Sequence, residues 1–94
     1  MLNIVWTPAA IQDLKESFDY ISLDDPKAAE RVAAKIHEAS QMLQELPSLG
    51  RKGRYKDMYE WVLSKLPYSI WYRVNSQKQV LEIVRVLHDA RKKP

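Results

Sequence analysis

The chain has 94 residues, 46% of them apolar, no cysteine, and 15 Lys/Arg against 12 Asp/Glu. That length predicts one domain, residues 1–94, with a modest core. It leaves no disulfide framework, thiolate nucleophile or cysteine-based zinc site, and no run approaches the roughly 20 apolar residues of a membrane span. The charge is unevenly placed: residues 1–46 hold four Lys/Arg and eight Asp/Glu, net −4, whereas residues 47–94 hold eleven and four, net +7. A small protein that gathers its cations on one half presents a surface to something anionic.

Leu2-Asn3-Ile4-Val5-Trp6 is rich in β-formers and predicts a first strand. It does not read as the apolar core of a signal peptide, so a cytoplasmic chain is expected. Thr7-Pro8 marks a helix start, with Thr7 as N-cap and Pro8 in the first helical position. Ile11, Leu14, Phe18 and Ile21 then recur at helical spacing. Asp25-Pro26 repeats the start signal, and Ala29, Val32, Ile36, Ala39, Leu43 and Leu46 form the stripe of a longer, alanine-rich second helix. The short break between them predicts an antiparallel helical hairpin. Pro47 and Gly50 end the second helix.

Residues 47–57 read as a basic loop. Three β-segments follow at 58–65, 68–74 and 80–88, the last two joined by Asn75–Gln79, a turn without the usual glycine. The order β-α-α-β-β-β predicts an α+β fold, an N-terminal helical hairpin packed on one face of a mainly antiparallel sheet. Arg91–Pro94 reads as a frayed tail. Pairing Val74 with Val80 across the last hairpin sets Tyr68, Ile70, Tyr72 and Val74 beside Val80, Glu82, Val84, Val86 and His88 on the helix side. The same map sets Ser69, Trp71 and Arg73 beside Leu81, Ile83, Arg85 and Leu87 on an exposed face, with Arg85 directly across from Ser69.

The residues able to carry chemistry lie in the basic half. Arg51, Lys52, Arg54 and Lys56 cluster beside Tyr55, a combination that suits nucleic-acid phosphates and unstacked bases, or simply a solvated loop. Arg73 and Arg85 are out of place in strands of bulky apolar residues unless their heads reach solvent, a target, or a carboxylate such as Glu60 or Asp89. His88 has the chemistry for proton transfer. Trp71 is either a stacking platform or a core aromatic, and Trp6 and Trp61 read as packing residues. The two histidines stand apart with no carboxylate pattern, so no metal site is read. No nucleotide motif or cofactor signature is present.

Ile4-Val5-Trp6-Thr7-Pro8-Ala9-Ala10, Leu46-Pro47-Ser48-Leu49-Gly50-Arg51-Lys52-Gly53-Arg54, Pro67-Tyr68-Ser69-Ile70-Trp71-Tyr72-Arg73-Val74 and Ile83-Val84-Arg85-Val86-Leu87-His88-Asp89-Ala90-Arg91 occur in this order. As an ordered set they resemble the RelE/ParE toxin superfamily across almost the whole chain. The resemblance implies the toxin of a type II toxin–antitoxin module, neutralised by a small cognate antitoxin, with no small-molecule cofactor and no membrane partner. It also implies one of two targets. ParE-like members inhibit DNA gyrase. RelE-like members enter the ribosome and cleave mRNA with Arg, Lys, His or Tyr side chains on the concave sheet face. Here the position where RelE-like nucleases commonly place an Arg is Ser69, and the strand that often carries lysines reads Glu60-Trp61-Val62-Leu63. These departures weigh toward gyrase inhibition. The alternative is an mRNA endoribonuclease with Arg73, Arg85 and His88 as catalytic residues. Under either reading Arg51, Lys52, Arg54, Tyr55, Lys56, Trp71 and Arg91 are the candidate target contacts.

Overall fold

The computed structural model describes residues 1–91; the Arg91 side chain and residues 92–94 lie outside the described part, and with them the expectations for an Arg91 target contact and a frayed tail. The chain runs β1 (Asn3–Trp6), α1 (Pro8–Ser22), α2 (Pro26–Glu45), a 3-10 turn (Pro47–Leu49), β2 (Arg51–Lys52), β3 (Tyr59–Val62), β4 (Tyr68–Asn75), β5 (Val80–His88) and a closing 3-10 turn (Asp89–Arg91). The sheet order is β1-β5-β4-β3-β2. β1 runs parallel to β5, and the other pairs are antiparallel. This is the expected α+β arrangement with one further strand: β2 is cut from the segment read as basic loop, because Arg51 and Lys52 pair with Glu60 and Tyr59. Among the described residues no helix is long and apolar enough to cross a membrane.

Both helices start where their caps predict. The Thr7 hydroxyl accepts from the Ala10 N–H at 3.0 Å and donates to the Val84 carbonyl at 2.8 Å, so one cap also ties α1 to β5. The Asp25 carboxylate accepts from the Ala28 N–H at 3.1 Å. Such caps contribute roughly 1 kcal/mol each.

The core lies between the helices and one sheet face, where Ala10, Ile36, Ala39 and Leu43 meet Tyr68, Ile70, Tyr72, Leu81, Ile83 and Val86, with Trp6 and Trp61 packed against them. The stripe predicted for α1 is rotated. Ala10, Leu14 and Ile21 face inward, whereas Ile11 and Phe18 are 55% and 38% exposed. Leu46, read as part of the second helix's stripe, is also exposed. Buried Ala10, with no side chain beyond its β-carbon, leaves room for a close approach of α1, and that sets which edge of the stripe turns in.

The hairpin map needs correction. Val74 pairs with Leu81 rather than Val80, and Asn75 with Val80. Gln79, at φ 54, takes the left-handed conformation that glycine usually supplies in such a turn. Further along, Tyr72 pairs with Ile83 but Trp71 pairs with Arg85, so Val84 is an extra residue on β5, a β-bulge. The bulge resets the alternation, and Leu81, Ile83 and Val86 all reach the helix-side core. Leu81 and Ile83 therefore do not share an exposed face with Arg85, and Arg85 lies across from Trp71, not Ser69. The face expected to be exposed is also partly covered, with Ser69, Trp71 and Leu87 buried.

Tyr72 joins the sheet to the end of α2. Its buried hydroxyl donates to the Pro47 carbonyl at 2.7 Å and accepts from the Gly50 N–H at 2.9 Å. A β-carbon at Gly50 would overlap the Tyr72 hydroxyl and ring. Tyr72→Phe strands two polar groups and is expected to cost about 1–3 kcal/mol, read as a lower urea midpoint. Gly50→Ala is expected to lower the midpoint as well. Burial raises the Tyr72 phenol above its ordinary 10.0, and the Gly50 N–H offsets part of the rise. Above pH 10.0 the unfolded chain loses this proton before the folded one, so stability declines as pH rises through that range. The decline should be shallower in Tyr72→Phe.

Candidate functional site

β1 ends at Trp6, whose partner on β5 is Ile83. Beyond that point no strand among the described residues lies on the outer side of β5, and α1 seals the edge instead. The Thr7 N–H donates to the Ile83 carbonyl at 3.0 Å, the Thr7 hydroxyl to Val84, and the Val86 N–H to the Asp13 carboxylate at 3.0 Å. An edge satisfied in this way does not template a stray strand.

The same carboxylate holds Arg85. The guanidinium donates Nε to Oδ2 at 2.7 Å and Nη2 to Oδ1 at 2.8 Å, a two-pronged pair with only 11% of the Asp13 side chain exposed. The hydrogen bond to Asp13 raises the Arg85 pKa above its ordinary value, against the lowering effect of burial, so the cation persists at any working pH. Arg73 has its own partner: its Nε and Nη2 both donate to Glu82 on β5. The carboxylate alternative foreseen for these two arginines therefore holds, with Asp13 and Glu82 in place of Glu60 and Asp89.

His88 sits edge-on to Tyr68, with ring centroids 5.2 Å apart, and its Nδ1 accepts from the Ala90 N–H at 3.1 Å. That leaves Nε2 as the atom carrying the proton in the neutral ring. Beside it, the Ser69 hydroxyl donates to Asp89 at 3.3 Å and the Asp89 N–H to the Pro67 carbonyl at 2.7 Å, fixing the closing turn.

Arg85 and His88 share a cleft of about 770 Å³ whose walls include Asp13, Glu16, Tyr20 and Tyr68. Arg73 belongs to a different cleft, of about 1010 Å³, with Asp57, Tyr59, Glu82 and Lys78. Tyr68, the partner of His88, is five positions along β4 from Arg73, about 17 Å in a strand. The structure thus brings two of the three catalytic candidates together and leaves the third at the far end of the hairpin.

The target-contact candidates divide as well. Arg51 donates to Glu60 Oε1 through Nε at 3.2 Å and Nη2 at 2.9 Å, and the Trp71 indole donates to Glu60 Oε2 at 3.3 Å. Tyr55 lies over Trp71, ring centroids 5.8 Å apart and tilted by 47°. Trp71 is therefore a buried aromatic under a tyrosine cover. The loop carrying Tyr55 is closed by hydrogen bonds from Gly53 to Met58 and from Met58 to Tyr55, with Asp57 at φ 62. Arg54 and Lys56 are exposed on it, and Lys52 is exposed at the end of β2 just before it.

Asp13, Glu60 and Glu82 are the residues that the sequence did not single out for these pairings. Asp13 and Arg85 stand 72 positions apart, beyond any local spacing rule. Among the described residues no group of three or more His, Cys, Asp or Glu is placed to hold a metal ion.

Asp13→Ala removes the acceptor of three hydrogen bonds, whereas Arg85→Ala leaves the Val86 N–H satisfied. Asp13→Ala should be the more destabilising, by about 1–3 kcal/mol. A double-mutant cycle on urea midpoints should give a coupling of about 0.5–3 kcal/mol, and additive losses would show that the pair is not coupled.

The chain matches the family model described as the ParE toxin of type II toxin–antitoxin systems, parDE, over residues 4–93. A Sinorhizobium fredii chain, Y4kP, is 43% identical over 82 residues, covering 87% of this chain and 85% of that one. Toxin RelE2 of Caulobacter vibrioides is 37% identical over 91 residues, covering 97% and 99%. The solved chromosomal ParDE toxin–antitoxin system from P. aeruginosa superposes with a TM-score of 0.81 at 26% identity, covering 94% of this chain and 96% of that one. With the helical hairpin, the mixed sheet and the family match over nearly its full length, the chain belongs to the ParE toxin family, within the RelE/ParE superfamily of type II toxin–antitoxin toxins.

Proposed function

We propose that this toxin arrests growth by binding DNA gyrase, and that a cognate antitoxin neutralises it. The observation that carries the reading is the distribution of the arginines. Cleaving a phosphodiester requires cations and a proton carrier aimed at one phosphate, so that charge is stabilised where it develops. Here Arg73 and Arg85 each face a carboxylate and stand in separate clefts. The ParE family match supports the same target. The antitoxin is supported by the likeness to the solved ParDE system and by the +7 charge of residues 47–94, which favours a partner with an acidic segment and a salt-sensitive association.

Ribosome-dependent mRNA cleavage is the second reading. It draws on Arg85 and His88 sharing one cleft beside Tyr68, and on the name of the Caulobacter relative. Asp13 already meets the Arg85 charge there and Glu16 lines the cleft too, so little net positive charge is left to draw in a phosphate.

The test is a paired assay on one preparation of folded toxin. Gyrase is given relaxed plasmid and ATP, and in parallel a purified translation system reads a defined mRNA whose new 5′ ends are mapped. The expected result is a dose-dependent loss of supercoiling with mRNA ends unchanged. New ends at ribosomal A-site codons with supercoiling intact would overturn the gyrase assignment.

A further inference from the structure

The described cations of the basic half fall into three that face carboxylates, three that cluster at and just after β2, and Lys65 and Lys78 on separate turns. Arg51, Arg73 and Arg85 face Glu60, Glu82 and Asp13. Lys52, Arg54 and Lys56 are exposed, and no ion pair within the described residues takes them up. Asp57, next in the chain, lines the cleft that contains Arg73.

β2 and the loop after it, which carry these three, are built rather than slack. At their start the Gly50 N–H is fixed on the buried Tyr72 hydroxyl, and Arg51 is fixed on Glu60. Gly53 and Met58 close the loop by a backbone hydrogen bond of 2.7 Å, and Tyr55 pins it to Trp71. Three unpaired cations on an anchored loop lose less conformational freedom on meeting an anion than they would on a floppy tail.

We infer that Lys52, Arg54 and Lys56 form a contact for the phosphate backbone of duplex DNA. The choice of duplex follows from the aromatics. A reader of single-stranded RNA stacks splayed bases on exposed rings, but Tyr55 and Trp71 are engaged with each other, and Trp71 is also held by Glu60. Tyr55 stays 45% exposed, but Trp71 is buried beneath it, so a single ring offers no run of stacking faces, and the three cations contact phosphates independently of sequence. This contact rests on the gyrase reading, in which the toxin meets an enzyme already holding a duplex. It adds a direct hold on that DNA.

The experiment follows the fluorescence anisotropy of a labelled duplex of about 20 base pairs as the free, full-length toxin is added. With three phosphate contacts, affinity should fall about 40-fold between about 50 and about 200 mM salt. Replacing Lys52, Arg54 and Lys56 together by Gln should flatten that slope while the urea midpoint stays put. Replacing Lys15 and Lys35 by Gln, on the helices, should leave the slope unchanged. A flat wild-type slope overturns the inference whether or not the triple variant folds. So does an equal loss in the helix control, or tighter binding of a single-stranded RNA of the same charge. Gyrase inhibition without duplex binding removes this contact and leaves the gyrase reading standing. Duplex binding without gyrase inhibition keeps the contact and removes that reading.

Discussion

The carboxylate of Asp13 accepts three hydrogen bonds where β5 runs on past the end of β1, two from Arg85 and one from the Val86 N–H. The need arises from the bulge. Val84 is an extra residue on β5, and it falls just past the end of β1, where β5 has lost its parallel neighbour. An unpaired strand edge and a displaced arginine appear together, and α1 answers both, with Thr7 at its cap and Asp13 two turns in. The helical hairpin is thus fixed to the sheet by polar contacts at its edge as well as by the apolar core beneath it.

Three arginines in the basic half are spent on this architecture. Arg85 binds α1 to β5, Arg73 spans β4 and β5, and Arg51 ties β2 to β3 through Glu60. The exposed cross-strand pair of Arg73 is worth little in water, about 0–1 kcal/mol, while the Asp13–Arg85 pair is partly shielded and also caps a backbone N–H. Loss of toxicity on truncating Arg85 would therefore reflect a weakened fold as readily as a missing site residue, and stability has to be read beside activity. Three further cations, Lys52, Arg54 and Lys56, cluster at β2 and the short loop after it, held in shape by Tyr72, Glu60 and Trp71.

Much of this was legible in the residues. Thr7-Pro8 and Asp25-Pro26 announced both helix starts because a cap and an N1 proline act within four residues. The helical hairpin and the strands followed from periodicity, and Trp6 and Trp61 read as the packing residues they are, whereas Trp71 read equally as a core or a stacking aromatic. What escaped was set at a distance. A bulge adds one residue without leaving a local signature, so an uninterrupted alternation put Leu81 and Ile83 on the wrong face. β2 exists only because Glu60 and Tyr59 are there to pair with it. The carboxylate partners of Arg73 and Arg85 depend on which strands and helices become neighbours. The sequence could say that these arginines needed a partner, but not which one.

The central claim is that Arg85 serves the fold rather than a reaction. Its most direct test is the neutral replacement Asp13→Asn with Arg85→Gln, which removes both charges while an amide oxygen at position 13 can still accept from the Val86 N–H. The variant is expressed without antitoxin, its soluble folded amount is measured, and growth inhibition is compared with the wild type at equal folded protein. The account predicts that toxicity is retained. A variant that unfolds at the wild-type urea midpoint yet leaves growth unimpaired would contradict it and return Arg85 to the active chemistry.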